Sequence, residues 1–177
     1  MKLIGQKINL RKLRSTDAQS IYQNINNKDV MRYLLTPSPY YLSDAKKFIT
    51  RTQKKWRNDE SYCFGIEDKA SGEIIGAISL RNINKSHKFG ELGYWLGRKY
   101  QRQGIMSDAL SIILDFSFYK LNFNCVLAGT FKENVASASL LKKFGFSYIG
   151  VMKKMFFRNR RWHDDLRWQL LKENYKK

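Results

Sequence analysis

The sequence is poor in the residues that perform covalent and metal chemistry. It has two cysteines, two histidines and two prolines in 177 residues. Cys63 and Cys125 each sit in an apolar, strand-like run, where a reduced thiol serves as a small hydrophobe. Neither has a partner nearby in sequence that would make it a nucleophile. His87 and His163 lie far apart, and no His/Cys cluster has ligand spacing, so no metal centre is expected. Long apolar runs are missing too: no stretch of about 18 apolar residues exists, which indicates no transmembrane helix. The opening MKLIGQKINLRKLR lacks the apolar core of a signal peptide and reads as a first strand. A cytoplasmic location without a membrane partner is the resulting expectation.

Acidic residues are the other shortage. Asp and Glu number 15 against 33 Lys and Arg, giving a formal net charge of +18. Such a surface attracts polyanions: nucleic acid, ribosomes or phosphate-rich cofactors. It repels free polycations at long range. Part of the charge is a solvated face: Ala45, Phe48, Ile49, Thr52 and Trp56 follow helical spacing, while Lys46, Lys47, Arg51, Lys54 and Lys55 largely fill the other side.

What is present suffices for a core, at 43% hydrophobic and 14% aromatic residues, and the length suits one domain over residues 1–177. Residues 7–14 alternate as a strand, with Ile8 and Leu10 and then Leu13 after a slip. Ser15 or Thr16 can cap a helix running to Ile25, and a short helical turn follows at 29–33. Residues 36–39 are loop, and Ser43 is placed to cap the basic helix that ends near Asn58. Residues 62–67 and 73–81 read as strands around the turn Lys69-Ala70-Ser71-Gly72. A third strand covers 90–97, a long helix 104–119, a strand 124–131 and a helix 134–144. A hairpin of 146–158 with 162–171 ends the chain. Trp56, Trp95, Trp162 and Trp168 read as core or pocket-wall residues. The elements make a mixed α/β (α+β) sheet of six or seven strands with about four helices.

The most informative stretch is Glu91-Leu92-Gly93-Tyr94-Trp95-Leu96-Gly97-Arg98-Lys99-Tyr100-Gln101-Arg102-Gln103-Gly104-Ile105-Met106-Ser107. A strand runs into a basic loop, and a glycine opens a long helix. Free N–H groups at a helix start, with about half a positive charge from the dipole, make an anion site. Gly104 lets a ligand approach the backbone closely. The spacing is neither GxGxxG nor a P-loop, so a phosphate ligand of another kind and an ordinary strand-to-helix connection both stay open from this stretch alone.

The sequence resembles the GNAT superfamily of N-acetyltransferases. Their pyrophosphate loop reads Gln/Arg-x-x-Gly-x-Gly/Ala, matched here by Gln101-Arg102-Gln103-Gly104-Ile105-Met106 with Met106 in place of a small residue. Further segments resemble the RimJ and RimL type, which acetylates ribosomal-protein N-termini. These are Leu10-Arg11-Lys12-Leu13-Arg14 with Asp17, Val30-Met31-Arg32-Tyr33-Leu34, Ile75 to Leu80, Gly93 to Leu96, Asn134 with Ser137, Lys143-Phe144-Gly145-Phe146, and Trp162-His163-Asp164 before Leu170-Leu171. The resemblance implies a GNAT fold and acetyl-CoA as co-substrate, with no metal. The amides of Gln103, Gly104, Met106 and Ser107 would hold the coenzyme A pyrophosphate. The strand backbone at Tyr94 and Leu96 would pair with the pantetheine arm where that strand splays from the next.

Acetyl transfer needs a neutral amine, a polarised thioester carbonyl and a stabilised thiolate. A carboxylate can take the amine proton directly or through water. Glu91, at the start of the thioester-bearing strand, is the first candidate, and a surface glutamate is the equal alternative. Asp164 is the second acid, read equally as an amine or structural ligand. The tyrosine that many family members use toward the thiolate is missing near Leu141. RimL-like members have a serine instead, so Ser137 is a proton donor, or an N3 capping residue. Asn134 bonds the pantetheine, caps its helix, or both. A protein N-terminal α-amine, ribosomal by resemblance, leads as acceptor. A polyamine or aminoglycoside-like amine is the rival, and a basic nucleic-acid-binding module is the reading from another class. A homodimer through edge strands of the final hairpin, and ribosome association through the basic surface, are further expectations.

Overall fold

The computed structural model describes residues 1–176. Eight strands extend where apolar side chains alternate or run continuously: β1 (Lys2–Ile4), β2 (Ile8–Lys12), β3 (Tyr62–Asp68), β4 (Ile74–Asn84), β5 (Phe89–Leu96), β6 (Cys125–Phe131), β7 (Ser147–Arg158) and β8 (Arg161–Leu171). They form one sheet in the order β1-β2-β3-β4-β5-β6-β8-β7. Every neighbouring pair is antiparallel except β5 with β6, which is parallel. Five helices complete the fold: α1 (Ala18–Ile25), α2 (Lys28–Met31), α3 (Leu42–Arg57), α4 (Ile105–Asp115) and α5 (Val135–Lys143).

The expected α/β class holds, with one strand more than the upper count and one more helix. The extra strand comes from the opening segment, which turns back on itself at Gly5. There the Gly5 N–H donates to Ile8 O at 2.9 Å, and Asp108 of α4 accepts from the amides of Gln6 and Lys7. A Cβ at position 5 would lie 2.6 Å from Ile112 and 2.8 Å from Asp108, so α4 locks the turn only because the residue is glycine.

Each sheet face carries its own core. Ile8, Leu10, Phe64, Ile66, Ile78, Leu80 and Leu92 pack with Leu110 and Ile113 of α4 and Leu141 of α5. On the opposite face Leu13, Cys63, Ile74 and Ala77 pack with Ile21 and Ile25 of α1 and Ala45 and Ile49 of α3. Burial pushes the Cys63 thiol up to about 12, which makes it an inert packing group. Trp56 and Trp168 are core residues. Trp162 is not: it is 57% exposed, against Phe157 at the tip of the last hairpin.

Two cap assignments change. Neither Ser15 nor Thr16 starts α1; the Arg14 N–H goes instead to Asp17 Oδ2 at 2.6 Å. Ser43 lies inside the first turn of α3, and Asp44 accepts from the Tyr41 N–H at 2.9 Å. In both places a carboxylate three residues into the turn wins because it adds favourable charge at the positive end of the helix.

A polar cluster interrupts the apolar side of β2. Arg11, 6% exposed, donates through Nη1 and Nη2 to both oxygens of Asp17 at 2.8 and 2.9 Å, and through Nε to Glu67. Asn9 and Lys2 complete the Glu67 carboxylate. The alternation that reads as polar-out thus hides a paired, buried guanidinium.

Candidate active site

The parallel pair at the centre of the sheet comes apart. β5 and β6 pair from Phe89 with Cys125 to Leu92 with Ala128. Beyond that point β5 continues to Leu96 against β4 alone, and β6 continues to Phe131 against β8 alone. A cavity of about 760 Å³ opens along this splay, within the size range of small-molecule sites. Gly97 N–H donates to Ile75 O at 2.8 Å. By the ladder's alternation, residues 93, 95 and 97 turn their backbone groups to β4, while Tyr94 and Leu96 turn theirs toward the gap. Gln101 Nε2 takes the Leu96 carbonyl at 3.0 Å.

One end of the cavity is the start of α4. Gly104 caps it at φ 77 with no side-chain hydrogen bond, so the first-turn amides of Ile105, Met106 and Ser107 have no intrahelical acceptor. The contrast is α5, where Asn134 Oδ1 accepts from the Ser137 N–H at 3.2 Å. Gln101, Arg102, Gly104, Ile105, Met106 and Ser107 all line the cavity, with Arg98 beside them. Gln103 does not: its carbonyl accepts from Lys7 Nζ at 2.7 Å and its side chain donates to Lys99 O. Met106 packs against the core, which is how the loop accommodates a large residue at that place. Uncapped amides on a basic, glycine-opened turn fit a diphosphate.

Midway, the Tyr94 hydroxyl lies 2.8 Å from Ser137 Oγ. Burial pushes the Tyr94 phenol up to about 12, against a smaller opposing effect of that hydrogen bond. Strand alternation carries Tyr94 to the α4–α5 side of the sheet with Leu92 and Leu96. The hydroxyl pair supplies a polar spot beside the first turn of α5. Asn134 lines the same stretch and caps α5.

The far end lies on the other face. Glu91 is held by Arg81 Nη2 at 3.1 Å and Arg167 Nη1 at 3.3 Å on Oε1, and by Asn82 at 3.0 Å on Oε2. Burial alone would raise the Glu91 carboxyl, but Arg81, Asn82 and Arg167 together bring it below the usual range. Asp165 and Arg81 line the cavity beside it. Asp164 does not: alternation along β8 sends it to the opposite face, where it accepts from the Lys154 N–H at 2.9 Å. Tyr33, Phe131 and Phe156 form an aromatic wall beyond. Asp165, Arg81 and the Tyr94 hydroxyl are thus cavity groups that the residues in sequence do not reveal, with Arg167 bonded to both carboxylates beside them. Adjacent Asp164 and Asp165 are indistinguishable without the register of β8, and the hydroxyl pair joins residues 43 positions apart.

Residues 7–147 match the acetyltransferase (GNAT) domain family. The chain belongs to that family. It is 30% identical over 167 residues to the probable N-acetyltransferase YjcK of Bacillus subtilis, covering 92% of each protein. It is 28% identical over 172 residues to the spermidine N(1)-acetyltransferase of Escherichia coli K12, covering 97% of this chain and 89% of the other. Among solved structures, the ribosomal L7/L12 α-N-protein acetyltransferase RimL, in complex with coenzyme A, superposes with a TM-score of 0.89 at 20% identity over 97% and 98% of the two chains. The enzyme is therefore an N-acetyltransferase. Among the described residues no group of three or more His, Cys, Asp or Glu side chains could hold a metal, and no helix is long and apolar enough to cross a membrane.

Proposed function

We propose that the enzyme acetylates a protein N-terminal α-amine by direct transfer from acetyl-CoA within a ternary complex. The observation that carries the reading is the continuous gap between β5 and β6, which joins the uncapped α4 start on one face to the arginine-bound carboxylates on the other. In this arrangement the diphosphate sits on the amides of Gly104, Met106 and Ser107, inside the turn of Gln101, Arg102, Gln103 and Ile105. The pantetheine arm lies along Tyr94 and Leu96, with Asn134 alongside. The amine enters from the Glu91 and Asp165 side.

Charge favours a peptide over a polyamine. Each acid in the cavity already has an arginine: Asp29 with Arg98 at 3.4 Å, Glu91 with Arg81 and Arg167, and Asp165 with Arg167. None is left to hold a second ammonium group. An α-amine, with a pKa of about 8 against about 10.4 for a lysine-type amine, is also easier to deprotonate. The likeness to a spermidine acetyltransferase supports the second reading, a polyamine acceptor. Acetyl-CoA consumption over a panel of N-terminal peptides, their Nα-blocked forms and spermidine separates the two. Turnover of free N-termini alone is expected; turnover of spermidine alone would overturn the peptide reading.

The +18 charge supports docking on a ribosome, in a cytoplasmic setting. The edge strand β7, with Tyr148, Ile149, Val151 and Met155 exposed, supports association of two copies through the last hairpin.

Ser137 faces the departing thiolate in this scheme. A phenol near 12 does not release its proton to a thiolate whose thiol ionises near 8.5. Tyr94 therefore donates a hydrogen bond to Ser137 Oγ and leaves the serine hydroxyl directed at sulfur. Because the thiol is a good leaving group near neutral pH, Ser137→Ala is expected to lower kcat only about tenfold. Tyr94→Phe should add little in the Ser137→Ala background, as measured in a double-mutant cycle on kcat.

A further inference from the structure

We propose that Asp165, on the acceptor face of β8, takes the proton from the incoming ammonium, and that Glu91 serves to hold Arg81 and Arg167 in place. The inference rests on N-acetyl transfer and not on which amine is the acceptor.

A general base needs a free lone pair that faces the substrate. Both Glu91 oxygens are already engaged: Arg81 and Arg167 fill Oε1, and Asn82 takes one of the two lone pairs of Oε2. Asp165 is 2% exposed, lines the cavity, and receives Arg167 Nη1 on Oδ2 at 3.1 Å. Its Oδ1 has no hydrogen-bond donor among the described residues. The same arginine nitrogen touches both carboxylates, so the two acids stand side by side in unlike surroundings.

Position agrees with that role. Asp165 pairs with Phe131, at the end of β6 where it has already left β5, and so flanks the gap itself. Gly129, two residues earlier on the same face, keeps that space clear: a Cβ there would stand 2.8 Å from Asp165 Oδ1 and 2.8 Å from Arg167 Nη1. The charged and titratable groups around Asp165 are Arg167 on its own strand, Arg81 on β4 and Glu91 on β5. His163 lies two residues before it, bonded to Glu133 from the segment after β6. Burial pushes the Asp165 carboxyl up against the opposing pull of Arg167, whereas Glu91 is brought down. Two neighbouring acids driven apart in this way divide into a base and an electrostatic support.

The chemistry balances without a further reactant. The ammonium gives one proton to Asp165 Oδ1, and the neutral nitrogen attacks the thioester carbonyl carbon. A C–N bond forms and the C–S bond breaks. The nitrogen loses its second proton to water and the thiolate takes one from water, while the Ser137 hydroxyl stabilises the departing sulfur by a hydrogen bond. The products are the amide and free thiol, and Asp165 returns its proton to water.

The test is a 13C-carboxyl NMR titration of enzyme labelled at Asp and Glu, assigned with Asp165→Asn and Glu91→Gln, alongside rates on the peptide and spermidine panel. Asp165 is expected to titrate above the ordinary aspartate range and Glu91 below the ordinary glutamate range. Asp165→Asn should lower kcat about a hundredfold, leave the Kd for acetyl-CoA within about twofold, and remove the acidic limb of the pH–rate profile. Glu91→Gln should keep that limb. If Asp165→Asn does not fold, Asp165→Glu supplies the assignment and the wild-type titration decides. An Asp165 carboxyl that ionises before Glu91, or an Asp165→Asn enzyme with wild-type kcat, overturns the proposal. Turnover of spermidine alone would sink the peptide reading and leave this one standing.

Discussion

Gly104→Asp is expected to raise the Kd for acetyl-CoA about a hundredfold, close to 2.7 kcal/mol of binding free energy, with little change in melting temperature. Two effects add. Gly104 sits at φ 77, a left-handed conformation that costs a residue with a Cβ roughly 1–2 kcal/mol. A carboxylate there also faces the first-turn amides of α4, which no side chain now caps. It satisfies them and repels a diphosphate in the same act. Gly104→Ala carries only the strain, because its Cβ meets nothing closer than Lys7 Nζ at 3.3 Å. Its Kd should rise less than tenfold. Isothermal titration calorimetry of both variants separates backbone strain from the blocked anion seat.

Arg11→Ala carries the largest expected loss of stability. Removing the guanidinium leaves Asp17, 7% exposed, and Glu67 as uncompensated charges in a half-closed site. Losing one member of a buried pair typically costs about 3–5 kcal/mol, which for a chain of this size lowers Tm by roughly 10 °C. The pH dependence follows from Glu67. Burial would raise its carboxyl, but hydrogen bonds from Lys2, Arg11 and Asn9 outweigh it and hold the group at about 2. An unfolded glutamate ionises near 4.3. The native state is thus stabilised above about pH 4.3, and that stabilisation is lost as pH falls toward 2. Denaturant melts at pH 7 and pH 3 should show a smaller gap in Arg11→Ala than in wild type. An equal gap would remove Glu67 from the acid response.

The sequence discloses local features and hides those set by pairing. The Gln101–Ser107 loop is legible because its signal lies in consecutive residues: a glycine, flanking cations and a following apolar helix. The strand from Phe89 to Leu96 is legible for the same reason. The point at which that strand splays from the next, after Leu92, is not, since it depends on where β6 stops pairing. The face of Asp165 is hidden likewise, because one residue of register moves the whole set across the sheet. Ser43 and Ser15 look like caps by residue type, yet Asp44 and Asp17 take the exposed amides. The opening reads as a single strand because alternation continues across Gly5, and only contact with Asp108 and Ile112 shows that the chain reverses there. Trp162 reads as core by hydrophobicity, while its place at a hairpin tip leaves it in solvent.

The most direct measurement is a crystal structure of the enzyme soaked with acetyl-CoA. The diphosphate should bond the amides of Gly104, Met106 and Ser107, with the thioester between Ser137 on one side of the sheet and Asp165 on the other. Density for the nucleotide at any other surface, with the gap between β5 and β6 left to solvent, would contradict the account.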